Sequence, residues 1–473
     1  MERVGQTGEP GREKQVQLFA ARGEYEPFQV IVTARGENLT HINLTISDLE
    51  GPQKIDNSHF TLYREHYIEV KKSSPVWRGP PNLPLGVGWY PDALIPFIDP
   101  QTKQDIQGAK YDAVPFDLAA GRNQPLWVDL FVPYDIPAGL YRGNCTISSD
   151  QGSEAIPIEL TVWDFDLPRR PSLRSRFEGG EVVLQHKLMG EGDYTRMNAI
   201  NVGIWAGGGS WQCLPIRPAA PVQTWTEKES SYPEEVRPYL YNYTTDEISN
   251  CKDLYEPVRE WARNIHAGSS IKNLIVMVPT PELYDDGTGR PAVDIWVVLP
   301  AQSYEPADVE RIREAEGLGC EVWSYNCNVQ DSYSPKWQID FAPLNYRIHP
   351  LINQSYGFPG LLYWRVDLWS EDPWTTFADL DYPGNGHLIY PGEPTGILQP
   401  VPSMRLKYLR EGVEDYEYVE ILKNLGQKEF ALRTIQPVAA DWKHWTADPQ
   451  ALYWVRRVLG EKIQQLQKKG GNG

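Results

Sequence analysis

The spacing of apolar residues changes once along this chain, and the place where it changes constrains the fold more than any other feature. Up to Val162, short runs alternate polar with apolar residues, at 15–20, 28–33, 44–46, 60–63, 66–70, 126–132, 143–147 and 156–162. Gly, Pro, Asn and Asp punctuate them. Period-two alternation broken by turn residues marks half-buried strands, and a series of such strands predicts a β-sandwich. The segment Asp166-Leu167-Pro168-Arg169-Arg170-Pro171 then has the composition of a linker.

Beyond Pro171, short apolar runs alternate with amphipathic stretches. The runs cover 172–177, 200–206, 212–217, 237–243, 273–279, 293–299, 321–327 and 360–366, and helical periodicity falls at 253–266 and 306–317. Eight strands with intervening helices is the arithmetic of a (β/α)8 barrel of the TIM type. The third run is the least strand-like, so the barrel is expected to be irregular there. At 403–425, Met404, Leu406, Leu409, Val413, Tyr416, Val419 and Leu422 recur at helical spacing, with Ser403 as N-cap and Gly426 just past the end. A second helix is expected at 449–468, and 468–473 reads as a disordered tail. The expected architecture is multidomain, all-β plus α/β: an N-terminal β-sandwich (1–167), a central (β/α)8 barrel (168–402) and a C-terminal helical segment packed on the barrel (403–473). A long connection at 75–118, with Pro80-Pro81-Asn82-Leu83-Pro84-Leu85 inside it, is either functional or packed on a neighbour.

Charge narrows the function. There are 45 basic residues against 63 acidic, a formal −18, and no compact basic cluster. Nucleic acid and anionic membrane both need a basic footprint, so neither is an expected partner. No apolar run reaches membrane-spanning length, and the polar start has no hydrophobic core of a signal peptide. The expectation is a soluble protein, cytoplasmic or secreted with its signal removed. Five cysteines at 145, 213, 251, 320 and 327 are odd in number and lack ligand spacing, so neither a disulfide framework nor a zinc site is expected. No metal or organic cofactor is expected. The 17 Trp and 26 Tyr suit either large cores or a sugar site, where flat rings cover the C–H faces of pyranoses.

The strand candidate that begins at Arg237 runs into Asp246-Glu247. As the fourth strand of a barrel it would end on the face where such enzymes keep their chemistry. Ordinary glycosidases place two carboxyls about 5–9 Å apart across the scissile bond, an arrangement that neighbouring residues reach poorly. Adjacent acids suit the substrate-assisted exception, in which a sugar's 2-acetamido oxygen attacks the anomeric carbon. Glu247 would protonate the leaving oxygen and later activate water, while Asp246 would hold the acetamido N–H. On spacing alone, Thr-Thr-Asp-Glu also fits a helix N-cap with a first-turn acid.

Several segments resemble one family. Ser403-Met-Arg-Leu-Lys-Tyr-Leu-Arg-Glu-Gly-Val-Glu-Asp-Tyr-Glu-Tyr is similar to a C-terminal motif of glycoside hydrolase family 123 and the related DUF4091 proteins. Gly23-Glu-Tyr-Glu-Pro-Phe-Gln, Val132-Pro-Tyr-Asp-Ile-Pro-Ala-Gly-Leu-Tyr-Arg-Gly, Val293-Asp-Ile-Trp and Gly360-Leu-Leu-Tyr-Trp follow in the expected order. The resemblance implies a sandwich, a barrel and a C-terminal helical piece. It also implies β-N-acetylgalactosaminidase activity by a retaining, acetamido-assisted mechanism on a glycan with terminal β-linked N-acetylgalactosamine. Asp246 and Glu247 fall on the family's acidic pair. The alternatives are a β-N-acetylhexosaminidase of other sugar preference and an inactive carbohydrate-binding relative.

Around the pair, the candidate substrate-binding residues are Tyr243, Trp296, Trp323, Tyr325, Trp364, Asp367, Trp369 and His387. Tyr325 is placed to donate to an acetamido carbonyl, Trp364 or Trp369 to form a stacking floor, and Asp367 to bind ring hydroxyls. Equally, alternate aromatics can simply pack between sheet and helices. Arg405, Arg410, Glu411, Glu414, Asp415 and Glu417 are expected to pair at i,i+3 and i,i+4 on a helix docked under the barrel, with Asp415-Tyr416-Glu417 anchoring it to neighbouring loops.

Overall fold

The computed structural model describes residues 3–9, 11, 13–76, 82–210, 212–328 and 331–470. Pro80, Pro81 and the last three residues of the expected tail lie outside the described residues. Nine strands precede the linker: β1 (Val16–Arg22), β2 (Tyr25–Thr33), β3 (Leu39–Ile46), β4 (Phe60–Val70), β5 (Gly88–Pro96), β6 (Phe116–Leu118), β7 (Asn123–Phe131), β8 (Gly139–Ser149) and β9 (Gly152–Asp166). They form a five-stranded sheet, β1-β9-β8-β3-β6, and a four-stranded sheet, β2-β7-β4-β5. Leu18, Leu44 and Leu160 of the first meet Val30, Leu126 and Val128 of the second in one core, as the alternation predicts.

Seven parallel strands follow: β10 (Arg174–Arg176), β11 (Ile200–Asn201), β12 (Leu240–Asp246), β13 (Lys272–Val276), β14 (Ile295–Val298), β15 (Glu321–Asn326) and β16 (Gly360–Tyr363). Their order is β10-β16-β15-β14-β13-β12-β11. Among the described residues the barrel is therefore nearly closed, with seven strands instead of eight. Among the described residues no ladder joins β10 to β11. The missing strand is the third run, 212–217. Gly207, Gly208, Gly209, Ser210 and Cys213 all have positive φ, and Pro215 lacks a ladder donor, so this segment folds into a tight loop. Gly209 and Leu214 exchange backbone hydrogen bonds of 2.8 and 3.0 Å across it.

Helices α1 (Gly180–Gln185), α2 (Val222–Ser230), α3 (Tyr255–Gly268), α4 (Pro306–Gly317) and α5 (Leu344–Tyr356) lie between the strands. Helices α6 (Met404–Asn424), α7 (Lys428–Ile435) and α8 (Pro449–Gly470) end the chain. Ser403 caps α6 through the Leu406 N–H, and Gly426 follows its end at φ 73°.

Every residue of α6 from Met404 to Val419 is buried, including its charges. The free face of the four-stranded sheet covers one side, with Trp127 and Tyr408 meeting edge to face at 5.2 Å. The expected pairing along the helix is mostly overturned, because the partners come from elsewhere. Arg405 donates to Asp92 of β5 at 2.9 Å. Lys407 and Arg410 both reach Asp129 of β7, at 2.7 and 2.6 Å. Asp415 accepts from Arg347 of α5 at 2.7 Å, and Glu414 from Lys187 at 2.8 Å. Along the helix itself, Glu420 and Lys423 pair at i,i+3, at 2.9 Å. The helix is wrapped on all sides, so its charges have no solvent face on which to pair.

Burial alone would raise the Asp129 carboxyl, but Arg410 and Lys407 hold it well below the usual carboxylate range. Removing one partner of such a pair leaves buried charge uncompensated, at a cost of about 3–5 kcal/mol. Asp129→Ala is therefore expected to lose about that much in urea unfolding at neutral pH; a loss under about 1 kcal/mol would contradict the role given to the pair. The depressed carboxyl also sets a pH dependence. Its contribution is complete above the unfolded value of about 4 and is lost progressively as pH falls below it, and Asp129→Ala flattens that part of the stability profile.

Candidate active site

The acidic pair depends on an interruption in β12. Tyr241 and Tyr243 point into the barrel, where Tyr243 registers with Leu274 of the inner cluster. Continued alternation would put Thr245 inside and Asp246 outside. A bulge intervenes: between Tyr243 and Thr245 the strand advances two residues while β13 advances one. Thr245 then registers with Ile275 of the outer layer and Asp246 with Val276 of the inner one. A bulge shifts side-chain parity in this way, and here it aims Asp246 into the barrel mouth. Glu247 follows at φ 48°, a left-handed conformation that costs a non-glycine residue on the order of 1–2 kcal/mol. Its N–H still donates to the Val276 carbonyl at 2.9 Å, while its carboxylate turns to the Tyr325 hydroxyl at 3.4 Å. Two neighbouring acids thus reach the same mouth.

A cavity of about 440 Å³ opens beside Asp246. It straddles the seam between β10 and β11. Arg176 and Glu178 line one side, Asn201 and Trp205 the other, with Tyr243 and Trp364 completing the wall. The Arg176 guanidinium lies 4.7 Å from the Tyr243 ring centre and pairs with Glu178. Trp205 meets Tyr243 edge to face at 5.1 Å. Trp205 and Trp364 are 39% and 37% exposed, so each offers part of an indole face to a ligand. Burial and the Glu247 carboxylate push Asp246 up to about 6, against the opposing pull of the Tyr243 hydrogen bond and Arg176. Tyr325 is raised well above 10 by burial and stays a donor.

The loop that replaces the third strand is fastened to this site. Ser210 donates to the Asp246 carbonyl at 2.8 Å, and Cys213 is bonded to Cys251, four residues past Glu247. The expectation of no disulfide is thus corrected. The pairing is between sequence-distant residues that the loop brings together, which an odd cysteine count conceals. Gly209 at φ +70° passes so close that a Cβ would sit 2.5 Å from the Thr245 hydroxyl. Among the described residues no cluster of His, Cys, Asp and Glu is placed to hold a metal, and no helix is long and apolar enough to cross a membrane.

Of the sequence-derived candidates, Asp246, Glu247, Tyr243, Tyr325 and Trp364 come together. Trp369 and Asp367 lie half-exposed on the loop after β16, apart from the cavity wall, Asp367 paired with Arg365 at 2.9 Å. Three candidates are corrected. Trp296 is wholly buried between sheet and helices. Trp323 is wholly buried inside the barrel, where its ring takes the space a Cβ at Gly360 would need. His387 is buried against Tyr390, with ring centres 4.2 Å apart, and burial lowers it to about 3. Arg176, Glu178, Asn201 and Trp205 were not anticipated. Arg176, Asn201 and Trp205 fall within two of the expected barrel strands, so the strand-end argument that found Asp246 applied to them too.

Residues 246–422 match the model of the glycoside hydrolase 123 catalytic domain, a match that opens on Asp246 itself. Over that stretch the chain is similar to the family 123 glycoside hydrolase catalytic domain. A family 123 glycoside hydrolase from Clostridium perfringens, described for glycolipid glycan hydrolysis, shares the fold. That similarity has a TM-score of 0.66 at 13% identity and covers 97% of this chain and 94% of that one. An Ig-like-domain-containing family 10 xylanase from termite gut (TM-score 0.26, 8% identity, 62% and 90% covered) overlaps too little to bear on fold or function. The same holds for a Parabacteroides merdae β-glucuronidase (0.25, 9%, 80% and 52%). A search of curated proteins finds no match to the sequence.

The disulfide closes a loop across a separation of 38 residues, which in the chain-entropy account stabilises by about 4 kcal/mol. Cys213→Ser/Cys251→Ser is expected to lower the thermal midpoint and to weaken ligand binding beside Asp246. Unchanged binding in a destabilised variant would show that the staple serves the fold and not the site.

Proposed function

We propose that this chain is an exo-acting glycosidase that releases terminal β-linked N-acetylgalactosamine by a retaining, substrate-assisted mechanism. The observation that carries this reading is the adjacency of Asp246 and Glu247 in one mouth, held by a bulge and a left-handed residue. Such neighbours suit an assisted displacement better than two acids facing across a bond. In the first step the acetamido oxygen attacks the anomeric carbon, the bond to the leaving oxygen breaks, and Glu247 gives that oxygen its proton. Asp246, ionised above about pH 6, accepts the acetamido N–H and stabilises the positive charge on the ring that forms. Tyr325 donates to the acetamido group. In the second step Glu247 takes a proton from water as the water oxygen bonds the anomeric carbon and the acetamido oxygen departs. Trp205 and Trp364 supply the apolar walls for the sugar.

Substrate-level support comes from the Clostridium perfringens enzyme, whose description names glycolipid glycans. A glycoconjugate carrying the terminal sugar is accordingly the proposed natural substrate. Preference for the galacto over the gluco configuration rests on the family resemblance alone.

Aryl β-N-acetylgalactosaminide is expected to turn over faster than the β-N-acetylglucosaminide, and the analogue lacking the acetamido group hardly at all. Asp246→Asn and Glu247→Gln are each expected to lose about 10²–10⁴ in kcat. Full activity in either variant, or ready cleavage of the analogue, removes the assisted mechanism.

A pH profile gives a separate check. The kcat/KM of the wild type is expected to fall about tenfold per unit below a pH near 6, as Asp246 takes up its proton. The residual activity of Asp246→Asn lacks that limb. A limb that survives the substitution assigns the titration to another group.

A further inference from the structure

A second groove, of about 630 Å³, lies between the open edge of the sandwich and α8 and shares no lining residue with the cavity at Asp246. We propose that it is a separate binding site for an extended chain of neutral sugars, which anchors a glycan while its terminal residue is at the acids. This rests on the reading that the chain acts on glycans.

Two edge strands form one side of the groove. β1 pairs with β9 alone and β2 with β7 alone, so both turn unpaired backbone groups outward. α8 forms the other side. Its inner face, Leu452, Val455 and Leu459, is buried in the core, while Trp454 on the groove side is 62% exposed. Tyr453 lies beside it. Exposed apolar side chains are ordinary when scattered, but an indole set in a concave surface forms a stacking face, and the Tyr453 ring beneath is held in place by Arg347 at 5.2 Å. Arg457 is already fixed, stacked 4.5 Å above the Phe19 ring and bonded to Glu461 at 2.7 Å. It presents donors that need little ordering. Across the groove, Gln15 and Gln17 are exposed, and a side-chain amide both donates and accepts, as a sugar hydroxyl does.

The charges choose among ligands. Among the described residues of the groove wall, Arg456 is balanced by Glu24 and Glu26, at 2.7 and 2.6 Å, and Arg457 by Glu461 at 2.7 Å, so neither cation is spare for a polyanion. Glu13 on the rim and a chain charge of −18 oppose one further. A peptide adding to the sheet needs a continuous row of donors and acceptors. Pro27 takes a donor from β2, and the irregularity between Ala20 and Arg22 breaks the line of β1. A neutral oligosaccharide needs neither a cation nor a straight edge.

The test uses the full chain with the surface substitution Trp454→Ala, and Trp454→Phe as the conservative control. Binding is read as retardation in gels containing a neutral oligosaccharide of galactose and N-acetylhexosamine, in the Glu247→Gln background. Trp454→Ala is expected to lose the retardation and Trp454→Phe to keep it. In the active enzyme, kcat/KM toward the aryl monosaccharide stays at the parent value, while toward a long glycan it falls by about tenfold as the second anchor is lost. Unchanged retardation, or an equal loss on both substrates, overturns the proposal. So does a shift in sedimentation from dimer to monomer without change in retardation, since the face then joins copies of the chain. If the wild type cleaves no glycoside yet shows Trp454-dependent retardation, the hydrolase reading fails and this site stands.

Discussion

The arrangement of this molecule depends on one helix having nowhere to put its charges except against the rest of the protein. α6 carries Arg405, Lys407, Arg410, Glu414 and Asp415 through the interior, and their counter-charges come from four other places: β5 for Arg405, β7 for both Lys407 and Arg410, Lys187 just past α1 for Glu414, and α5 for Asp415. A buried ion takes its stability from the geometry of its partners more than from their number. The sandwich and the barrel are therefore held in register by directional bonds, where apolar contact alone would allow sliding. Arg405 shows this best. It satisfies Asp92 on the sandwich and the carbonyls of Trp337 and Gly384 on the barrel side with one planar group.

The acidic pair carries conformational strain, and the loop beside it is braced. Glu178, Ser210, Cys213 and Glu247 all adopt left-handed backbone, and all belong to the segments around one mouth. Such conformations persist only where surrounding structure over-determines them. Here the over-determination is visible: the ladder from Glu247 to Val276, the Ser210 bond to Asp246 and the cystine just beyond. The bulge in β12 aims one acid and the left-handed residue aims the next.

Much of this was legible in the sequence, and the part that was not has a common cause. Period-two runs located both sheets but missed β5 and β6, which lie within the segment 75–118 read as a long connection, and the seven barrel strands lie within or overlap the runs that predict them. The third run failed because Pro215 and the preceding glycines deny it a strand backbone. Asp246 and Glu247 were singled out because a strand that ends in acid is unusual, and the structure turns both toward one mouth. Trp296 and Trp323 were misplaced because a run of apolar residues reveals that a strand is buried, not which parity faces the mouth or how deep each layer lies. A neighbouring ladder decides that, through pairings such as Trp296 with Ile275. The charged face of α6 was misread for the same reason, since its partners sit hundreds of residues away. Arg176 and Trp205 went unnoticed although they lie within expected strands, because acids drew the argument and a cation and an indole did not.

The unclosed seam between β10 and β11 has a consequence for divergence. Arg176, Glu178, Asn201 and Trp205 border the cavity beside Asp246 from the two flanks that, among the described residues, no inter-strand ladder joins. Asp246 sits instead on a strand paired on both sides. Exchanges at Glu178 and Trp205, which lie outside the strands, leave the sheet's ladders intact, whereas a change of backbone at Asp246 disturbs its pairing with Val276. A lineage built on this scaffold can reshape the cavity by editing one unlaced margin, while the acids stay stitched into the fabric beside it.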